Sequence, residues 1–242
     1  MPSRLQILTA LVGTAFALPN LTPRDTSALR ILPWSWNFNI TALSGPGCPD
    51  FGATSPPHVT RPTFGSNTVD GSEIYYWFFA YPHLRASVAP GTPEASVWCE
   101  TTLAYTELDK DGVAPAVPGY RLKLHKNGTQ VIARYDLEEG VEAKLKFTYF
   151  TDGKETIVDT LNVAGPRASG SYNDNTPVTG LVQWPLPKCG TGTIKFRTEL
   201  TVSAKKEGAK GTVSSDQLEY EGKTVYYGLQ QGVSYDWEKC TA

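Results

Sequence analysis

The sequence predicts an all-β protein: a two-sheet antiparallel β-sandwich, jelly-roll-like, of roughly ten to twelve strands and stapled by disulfide bonds. Three observations predict it. Apolar and polar residues alternate along most of the chain, as they do in strands that bury one face and expose the other. Turn-forming residues separate these runs, and the 18 prolines and 22 glycines disfavour helices. A single sheet of that size would leave an apolar face in water, so two packed sheets are favoured.

The alternating runs predict individual strands. They cover residues 34–41, 120–125, 141–149 and 194–202. Residues 74–81 are continuously apolar and aromatic, which is typical of a strand covered on both faces. Lys126-Asn127-Gly128 lies between two strand-like runs and therefore predicts a hairpin turn. Residues 205–211 predict a second polar turn.

The N-terminus has the features of a secretory signal peptide over residues 1–17. A short basic start is followed by an apolar stretch and by the small-x-small sequence Ala15-Phe16-Ala17. The apolar stretch is shorter than the ~20 residues that span a bilayer, so we expect no membrane span. Residues 18–33 predict a flexible lead-in or pro-segment, and residues 34–242 a single β-sandwich domain. The expected localisation is secreted and extracellular.

Four cysteines remain after cleavage: Cys48, Cys99, Cys189 and Cys240. They show no Cys-x-x-Cys spacing and no neighbouring histidine, which disfavours zinc. An even number in an oxidising compartment predicts two disulfides, and three connectivities are open. We prefer Cys48–Cys99 with Cys189–Cys240, because each bridge would staple neighbouring strands. Each would close a loop of about 50 residues and remove roughly 4 kcal/mol of unfolded-state entropy.

Three sequons predict N-glycosylation, at Asn39, Asn127 and Asn20. Asn20 is the weakest acceptor of the three, since it lies beside the new N-terminus and is followed by Thr22-Pro23.

The charge balance bears on the partners. The whole chain carries 22 basic and 24 acidic residues, and removal of Arg4 with the signal peptide leaves 21 against 24, a net charge of −3. This nearly neutral chain lacks the excess of basic residues that phosphate backbones attract, so we expect no nucleic-acid partner. It also has no glycine-rich phosphate loop, and we predict no cofactor.

No catalytic motif is present in the sequence. There is no Gly-x-Ser-x-Gly elbow and no His-Glu-x-x-His pair. His58 and His83 each follow a proline in a loop-like segment. His125 is expected to be solvated on the polar face of a strand beside the predicted hairpin. We therefore name no catalytic residue and lean against an enzyme.

Acidic residues give the alternatives to a purely binding role. A glycosidase needs two carboxyl groups about 5–10 Å apart, and the strand-borne candidates are Glu142 and Glu199. Both alternate with Lys or Arg, which favours a solvated, salt-bridged face. Asp174 lies between two asparagines, but this cluster supplies too few oxygens for calcium. It predicts an Asx-rich turn, and we predict no metal site.

Six tryptophans are present, all after the signal peptide. An exposed row of aromatic rings could stack sugar rings. Alternation with aliphatic residues predicts that Trp36, Trp184 and Trp237 lie in the core. Trp77, within the aromatic run 75–79, is the remaining candidate for an exposed ring, although a core position is favoured there too.

A series of motifs surrounds the four cysteines. In order they are Gly45-Pro-Gly-Cys48-Pro49, Phe79-Ala-Tyr-Pro-His, Trp98-Cys99, Gly119-Tyr120, Arg134-Tyr135-Asp-Leu-Glu-Glu-Gly140, Gly165-Pro166, Trp184, Cys189-Gly190 and Trp237-Glu-Lys-Cys240. From about Trp36 to Cys240 this order resembles the fungal secreted proteins grouped as domain of unknown function 4360. Two positions depart from the family pattern: Lys188 precedes Cys189 where the family usually has Ser-Pro-Cys-Gly, and Trp98 stands where Asn often precedes the cysteine. The resemblance implies secretion and a β fold, and no established chemistry.

These observations favour a secreted, non-catalytic β-sandwich protein that acts at the cell wall, the matrix or a host surface. Its expected partner is a cell-wall glycan or an extracellular protein. Two alternatives stay open: a secreted polysaccharide-active hydrolase whose carboxylates are assembled in space, and a structural wall component.

Overall fold

Strands account for nearly all the regular structure of the chain. The computed structural model describes residues 33–50, 59–67, 75–151, 153–177 and 184–240, which lie within one compact unit, Ile31–Ala242. These residues form fifteen strands and no helix. The strands are β1 (Ser35–Ser44), β2 (Arg61–Asn67), β3 (Tyr75–Tyr81), β4 (Ala86–Val88), β5 (Glu94–Leu108), β6 (Tyr120–Leu137), β7 (Val141–Thr151), β8 (Lys154–Ala164), β9 (Arg167–Asn175), β10 (Trp184–Cys189), β11 (Thr191–Ala204), β12 (Gly211–Ser214), β13 (Gln217–Tyr220), β14 (Lys223–Tyr226) and β15 (Leu229–Lys239).

The first sheet has five antiparallel strands in the order β1-β5-β11-β7-β8. Leu200 on β11 is opposite Val97 on one side and Leu145 on the other, so aliphatic side chains line up across the sheet. Burial alternates strictly along β11 and along most of β7. One face of this sheet therefore faces the core, and the other faces solvent.

The second sheet has eight strands, of which six follow the order β2-β3-β15-β6-β12-β4. Its centre is the 18-residue strand β6. This strand pairs with β15 and β12 along one edge and with β10 and β9 along the other. A separate hairpin is formed by β13 and β14.

The core lies between the two sheets, which confirms the predicted sandwich. Phe79 of β3 and Phe196 of β11 bring their rings together across the interface, with centroids 5.3 Å apart. Trp237 of β15 contacts Tyr105 of β5 in the same way, at 6.4 Å. The largest fully buried side chains come from both sheets: Tyr81, Tyr105, Tyr135, Tyr149, Phe79, Phe147, Phe196, Leu84, Leu103, Leu122, Leu124 and Leu145.

Two disulfide bonds join Cys48 to Cys99 and Cys189 to Cys240, which are the two pairs favoured from the sequence. Each links residues 51 positions apart. The first ties the segment after β1 to β5, and the second ties the end of β10 to the end of the chain beyond β15. Each disulfide therefore links strands that are neighbours or near neighbours in the sheets.

The run 74–81 contains β3, whose residues 76–81 are all buried, in agreement with a strand covered on both faces. The strand number exceeds the expected ten to twelve, because β4, β12, β13 and β14 are only three or four residues long and give no alternation signal.

The hairpin predicted at Asn127 is wrong. Strand β6 continues through it, and β15 pairs with β6 on both sides: Tyr235 is opposite Leu124, and Val233 is opposite Thr129. The four residues 125–128 thus face the single residue Ser234 and form a wide bulge. A bulge and a hairpin turn both need a residue with positive φ, and the glycine of Asn-Gly can provide it in either. Gly128 has φ 66°.

The Asx-rich turn predicted around Asp174 is also wrong. Residues Arg167–Asn175 form strand β9, which pairs with β6 from Leu137 to Gln130. Its Ser, Gly and Asn residues are poor strand formers, so the long ladder to β6 determines the conformation.

Among the described residues, no helix is both long enough and apolar enough to cross a membrane.

Candidate functional site

An aromatic groove opens at one side of the sandwich, between β1, an edge strand of the five-stranded sheet, and β2 and β3 of the eight-stranded sheet. Its volume is about 520 Å³, within the range of roughly 300–1,000 Å³ common for ligand sites. We call it the aromatic groove. It is lined by Trp34, Ser35, Trp36, Asn37, Phe38, Pro62, Thr63, Tyr76, Trp77, Phe79 and Tyr235.

The first wall of the groove is the start of β1. Trp36 and Phe38 are two positions apart on β1, and successive side chains of a strand point to opposite faces. These two rings therefore share one side of β1, and Trp34 lies in the bend that precedes the strand. Trp34 is 77% exposed, whereas Trp36 and Phe38 are partly buried and pack against the core. The groove is therefore open at Trp34, ahead of the strand.

The floor of the groove comes from the other sheet. Trp77 of β3 stacks on Tyr235 of β15, with centroids 4.3 Å apart and planes inclined by 23°. Phe38 reaches across to Trp77, at a centroid distance of 3.3 Å. Trp36 lies 6.0 Å from Tyr235. The two walls thus meet at Phe38 and Trp77, which close the inner end.

The lining is electrically neutral: of the eleven described residues that line the groove, none is charged. Its polar residues are Ser35, Asn37, Thr63 and Tyr76. The Tyr76 hydroxyl accepts a hydrogen bond from Asn127 Nδ2 at 3.0 Å. This combination of aromatic surface and a few uncharged polar residues suits an uncharged ligand that has apolar faces.

The sequence located part of this groove. Trp77 and Trp237 are buried, as expected, and Trp77 also lines the groove. Trp36 is only partly buried and packs against the core, so it lies at the margin of the core and not within it. The side chain of Trp184 lies outside the described residues. The sequence alone does not identify Trp34 as a ligand contact. Trp34 follows a proline at the start of the alternating run, and an aromatic ring at the end of a strand can remain exposed.

A second feature, buried between the sheets, was missed. His125 was expected in solvent, but it is buried at 7% exposure, and the expectation is wrong. Its Nε2 donates to Asp159 of β8, 2.8 Å from both carboxylate oxygens. Because residues 125–128 form a bulge, His125 adopts φ 60° and turns inward. The strand alternation that placed it outside is interrupted there.

The His125–Asp159 pair belongs to a chain of hydrogen bonds that crosses the core. Thr129 donates to Asp159 at 2.6 Å, and the Tyr149 hydroxyl lies 2.7 Å from Thr129 Oγ1. Gln231 donates to Tyr149 at 3.3 Å and accepts from a threonine of β11. We call this chain the polar belt; it consists of His125, Asp159, Thr129, Tyr149, Gln231 and Thr198.

The polar belt is closed to solvent, and its members are exposed by 8% or less. Burial raises the pKa of Tyr149 well above its ordinary value, and the charge of Asp159 adds to this effect. Its phenol therefore stays neutral and can act as donor and acceptor in the chain. Because no ligand can reach the polar belt, we infer that it holds the two sheets in register.

The candidate carboxylates do not converge. Glu199 contacts Lys146 at 3.8 Å and Arg197 at 3.2 Å, and Glu142 pairs with Lys205 at 2.6 Å. The solvated, salt-bridged face that we expected is confirmed. Glu142 is opposite Ser203, four positions along β11 from Glu199, and at about 3.3 Å per residue this separates them by roughly 13 Å.

Asp174 has a partner that accounts for its charge. Both of its carboxylate oxygens lie 3.0 Å from an Arg167 guanidinium nitrogen. The guanidinium carbon also lies 3.9 Å from the centroid of the Tyr172 ring and 4.7 Å from that of Tyr135. In the part of the chain that the structure describes, no group of three His, Cys, Asp or Glu could hold a metal ion.

The sequons differ in their surroundings. Asn39 is exposed on β1, whereas Asn127 is half-buried and donates to Tyr76. Glycosylation of both stays a prediction. Asn20, the signal peptide, most of the lead-in and His58 lie outside the described residues. His83 is half-buried in the turn after β3.

The chain matches no protein-family model and no curated protein, so the family resemblance stays a prediction. Among solved structures it is similar to a carbohydrate-binding module, TmCBM61, in complex with β-1,4-galactotriose, at 13% identity over 85% of this chain and 88% of that one, with a TM-score of 0.19. It is also similar to the enzymatically active domain of tailspike protein 4 of bacteriophage CBA120, at 11% identity over 85% of this chain and 19% of that one, with a TM-score of 0.21. At these TM-scores neither similarity assigns a site or an activity.

Proposed function

We propose that the protein is a secreted glycan-binding protein that holds a neutral polysaccharide of the cell wall or matrix in the aromatic groove without cleaving it. The observation that carries the proposal is the aromatic lining itself: Trp34, Trp36 and Phe38 line an uncharged groove that is open to solvent at Trp34. Pyranose rings expose C–H bonds on their faces and hydroxyl groups at their edges. An aromatic wall with hydroxyl and amide groups nearby offers a partner to each.

The lining favours binding over hydrolysis. Glycosidases place two carboxyl groups about 5–10 Å apart around the scissile bond. None of the described groove residues is acidic, and Glu142 and Glu199 are engaged in salt bridges on the solvent face of the five-stranded sheet. A sugar chain in the groove would meet rings and hydroxyl groups.

The expected compartment agrees with this role. Two disulfides form and persist in oxidising surroundings, which supports an extracellular site of action. Secretion through the signal peptide over residues 1–17 and membership of the fungal family belong to the proposal.

The test is a pull-down on insoluble wall polysaccharide combined with an assay for released reducing sugar. We expect the protein to co-sediment, to release no sugar, and to lose most of its binding in the variant Trp34→Ala/Trp36→Ala. The matched control is Trp98→Ala. Trp98 alternates with buried Val97 and Cys99 and stacks on Arg197 at 4.1 Å, outside the groove.

Three outcomes would contradict the proposal. Release of reducing sugar would favour the hydrolase. Equal binding by the groove variant and the Trp98 control would remove the groove from the function. Retention in the wall until a reductant is added, with no affinity for free glycan, would favour a structural component.

A further inference from the structure

The sequons at Asn39 and Asn127 differ in whether the fold leaves them accessible. An N-glycosylation acceptor consists of an asparagine and the hydroxyl-bearing residue two positions further on, so both members decide whether a sequon can carry a glycan. Asn39 and Thr41 are both exposed on β1. Thr41 lies where the register shifts between Ile40 and Ala42, and its hydroxyl donates to the Thr102 carbonyl at 3.3 Å in an exposed position.

The second sequon, at Asn127, has both of its members engaged inside the fold. The nitrogen that would carry the glycan, Asn127 Nδ2, donates to the hydroxyl of Tyr76 at 3.0 Å, and Tyr76 is only 5% exposed. Thr129 is fully buried, and its hydroxyl donates to Asp159 at 2.6 Å. A chain glycosylated at Asn127 before folding would have to give up the contact with Tyr76, so we expect the folded protein to be unmodified there.

Asn39 also lies on a strand that needs protection. Strand β1 ends the order β1-β5-β11-β7-β8, so one of its edges is unpaired in the part of the sheet that the structure describes. An unpaired edge is a template for pairing with another chain, and proteins commonly block it with charged residues or proline. The ten residues of β1 include neither. Residues 35–40 keep a regular register and are rich in strand-forming aromatic residues, which is typical of segments that pair with copies of themselves.

The opposite edge of the same sheet is protected in the common way. Strand β8 begins with Lys154 and Glu155, which are both charged and exposed. A charge at an edge opposes the approach of an identical strand. The two edges of this sheet therefore differ, and the exposed sequon lies on the edge that lacks charge.

A glycan on Asn39 has room on the solvent face of the sheet. Asn39 is opposite Ala104, and Asn37, on the same face, is opposite Thr106. Trp36 and Phe38 alternate with these asparagines, so their rings lie on the other face of β1. We propose that Asn39, and not Asn127, carries an N-linked glycan, and that this glycan blocks pairing of the β1 edge with a second copy of the chain. The inference rests on the secretion included in the proposed function and does not depend on glycan binding in the aromatic groove.

The assignment is tested by expressing the full chain, with its signal peptide, in a fungal secretion host and mapping the glycopeptides of the secreted protein by mass spectrometry. We expect a glycan on Asn39 and none on Asn127. An unmodified Asn39, or a glycan on Asn127 in the folded protein, would overturn this inference and leave the proposed function standing. Failure of the chain to reach the medium would overturn the inference together with the proposed secretion.

The role of the glycan is tested by analytical ultracentrifugation over a range of protein concentrations. Thr41→Ala removes the acceptor hydroxyl and with it the glycan, whereas Thr41→Ser keeps an Asn-x-Ser acceptor and is the matched control. We expect Thr41→Ala to dimerise about tenfold or more tightly than Thr41→Ser. Asn39→Lys also removes the glycan but places a charge on the same strand, so it should stay monomeric. Both positions are exposed, so these variants should fold.

Two results would contradict the protective role. Equal association of Thr41→Ala and Thr41→Ser would show that the glycan does not block pairing. Dimerisation of Asn39→Lys as tight as that of Thr41→Ala would show that the contact between copies does not involve the β1 edge.

Discussion

The interior of the sandwich contains two regions of opposite chemistry. Near β1, the sheets meet through aromatic rings, with Trp36, Phe38, Trp77 and Tyr235 in mutual contact. Towards β8, they meet through the polar belt, in which His125 is bonded to Asp159. The aromatic side opens to solvent as a groove, and the polar side is closed.

The difference follows from what each kind of contact tolerates. Aromatic surface can be left partly exposed at a modest free-energy cost and gains contact when a ligand covers it. A buried charge or hydroxyl has no such freedom, because an unmet polar group in the core costs about 1–3 kcal/mol. The aromatic side is therefore suited to binding, and the polar side fixes the relative position of the sheets.

The largest expected effect is on the polar belt. Asp159→Ala leaves His125 and Thr129 buried without their acceptor, and removal of one partner of a buried pair costs about 3–5 kcal/mol. Val158→Ala is the control, since Val158 is the neighbouring residue on β8 and is 47% exposed. Urea denaturation should show a large loss for the first variant and less than about 0.5 kcal/mol for the second. Similar losses for the two would mean that the belt does not hold the sheets together.

Asp159 also shows which signals the sequence contained. It shares one face of β8 with Ile157, Leu161 and Val163. This face is apolar, and an acidic residue at such a position indicates a buried partner. The partner, His125, could not be found in this way. A bulge that sets four residues against Ser234 changes which face each later residue takes, and its Asn-Gly sequence resembles a hairpin turn.

The sandwich itself was predictable because period-two burial is repeated over long strands such as β7 and β11. The groove was not, since it depends on which strands form the sheet edges. That order places β1, at the start of the domain, beside β2 and β3. Trp34 lies in the bend before β1, so the periodicity of the strand says nothing about its exposure.

The next effect concerns one hydrogen bond of the belt. Thr198→Val removes the hydroxyl that donates to the fully buried Gln231, and we expect a loss of about 1–3 kcal/mol. Thr201→Val, on the same strand but half-exposed, is the matched control and should change stability by less than about 0.5 kcal/mol. Replacing both partners, in Thr198→Val/Gln231→Leu, should recover part of the loss in the same denaturation experiment. No recovery would mean that Gln231 acts chiefly through Tyr149.

Alkaline pH should separate the two regions by their tyrosines. Burial raises the pKa of Tyr105, beside Trp237, to about 12. Burial also raises the pKa of Tyr149 well above its ordinary value. An unfolded tyrosine ionises near pH 10, so above that pH the unfolded chain releases protons that the folded protein retains. Each such tyrosine should therefore lower the free energy of unfolding by about 1.4 kcal/mol per pH unit.

The loss of unfolding free energy that Tyr105 causes should level off near pH 12. The loss that Tyr149 causes should continue above that pH. Denaturation curves at a series of pH values from about 9 upward, compared with Tyr105→Phe and Tyr149→Phe, measure each contribution. The loss should be smaller in both variants. An identical pH dependence in Tyr149→Phe and the unmodified protein would show that its phenol is accessible, and the description of the belt as closed would be wrong.

The smallest expected effect on stability is at Trp34, where the effect on binding should be largest. Trp34 is 77% exposed, so Trp34→Ala removes little buried surface and should change the free energy of unfolding by less than about 0.5 kcal/mol. Trp77→Ala, at the floor of the same groove but only 9% exposed, should cost about 3–5 kcal/mol through the cavity that it leaves. The two variants together test whether one aromatic side performs both tasks. A substantial loss of stability in Trp34→Ala would show that the outer ring is part of the core, and the separation between an open, ligand-binding end and a packed inner end would fail.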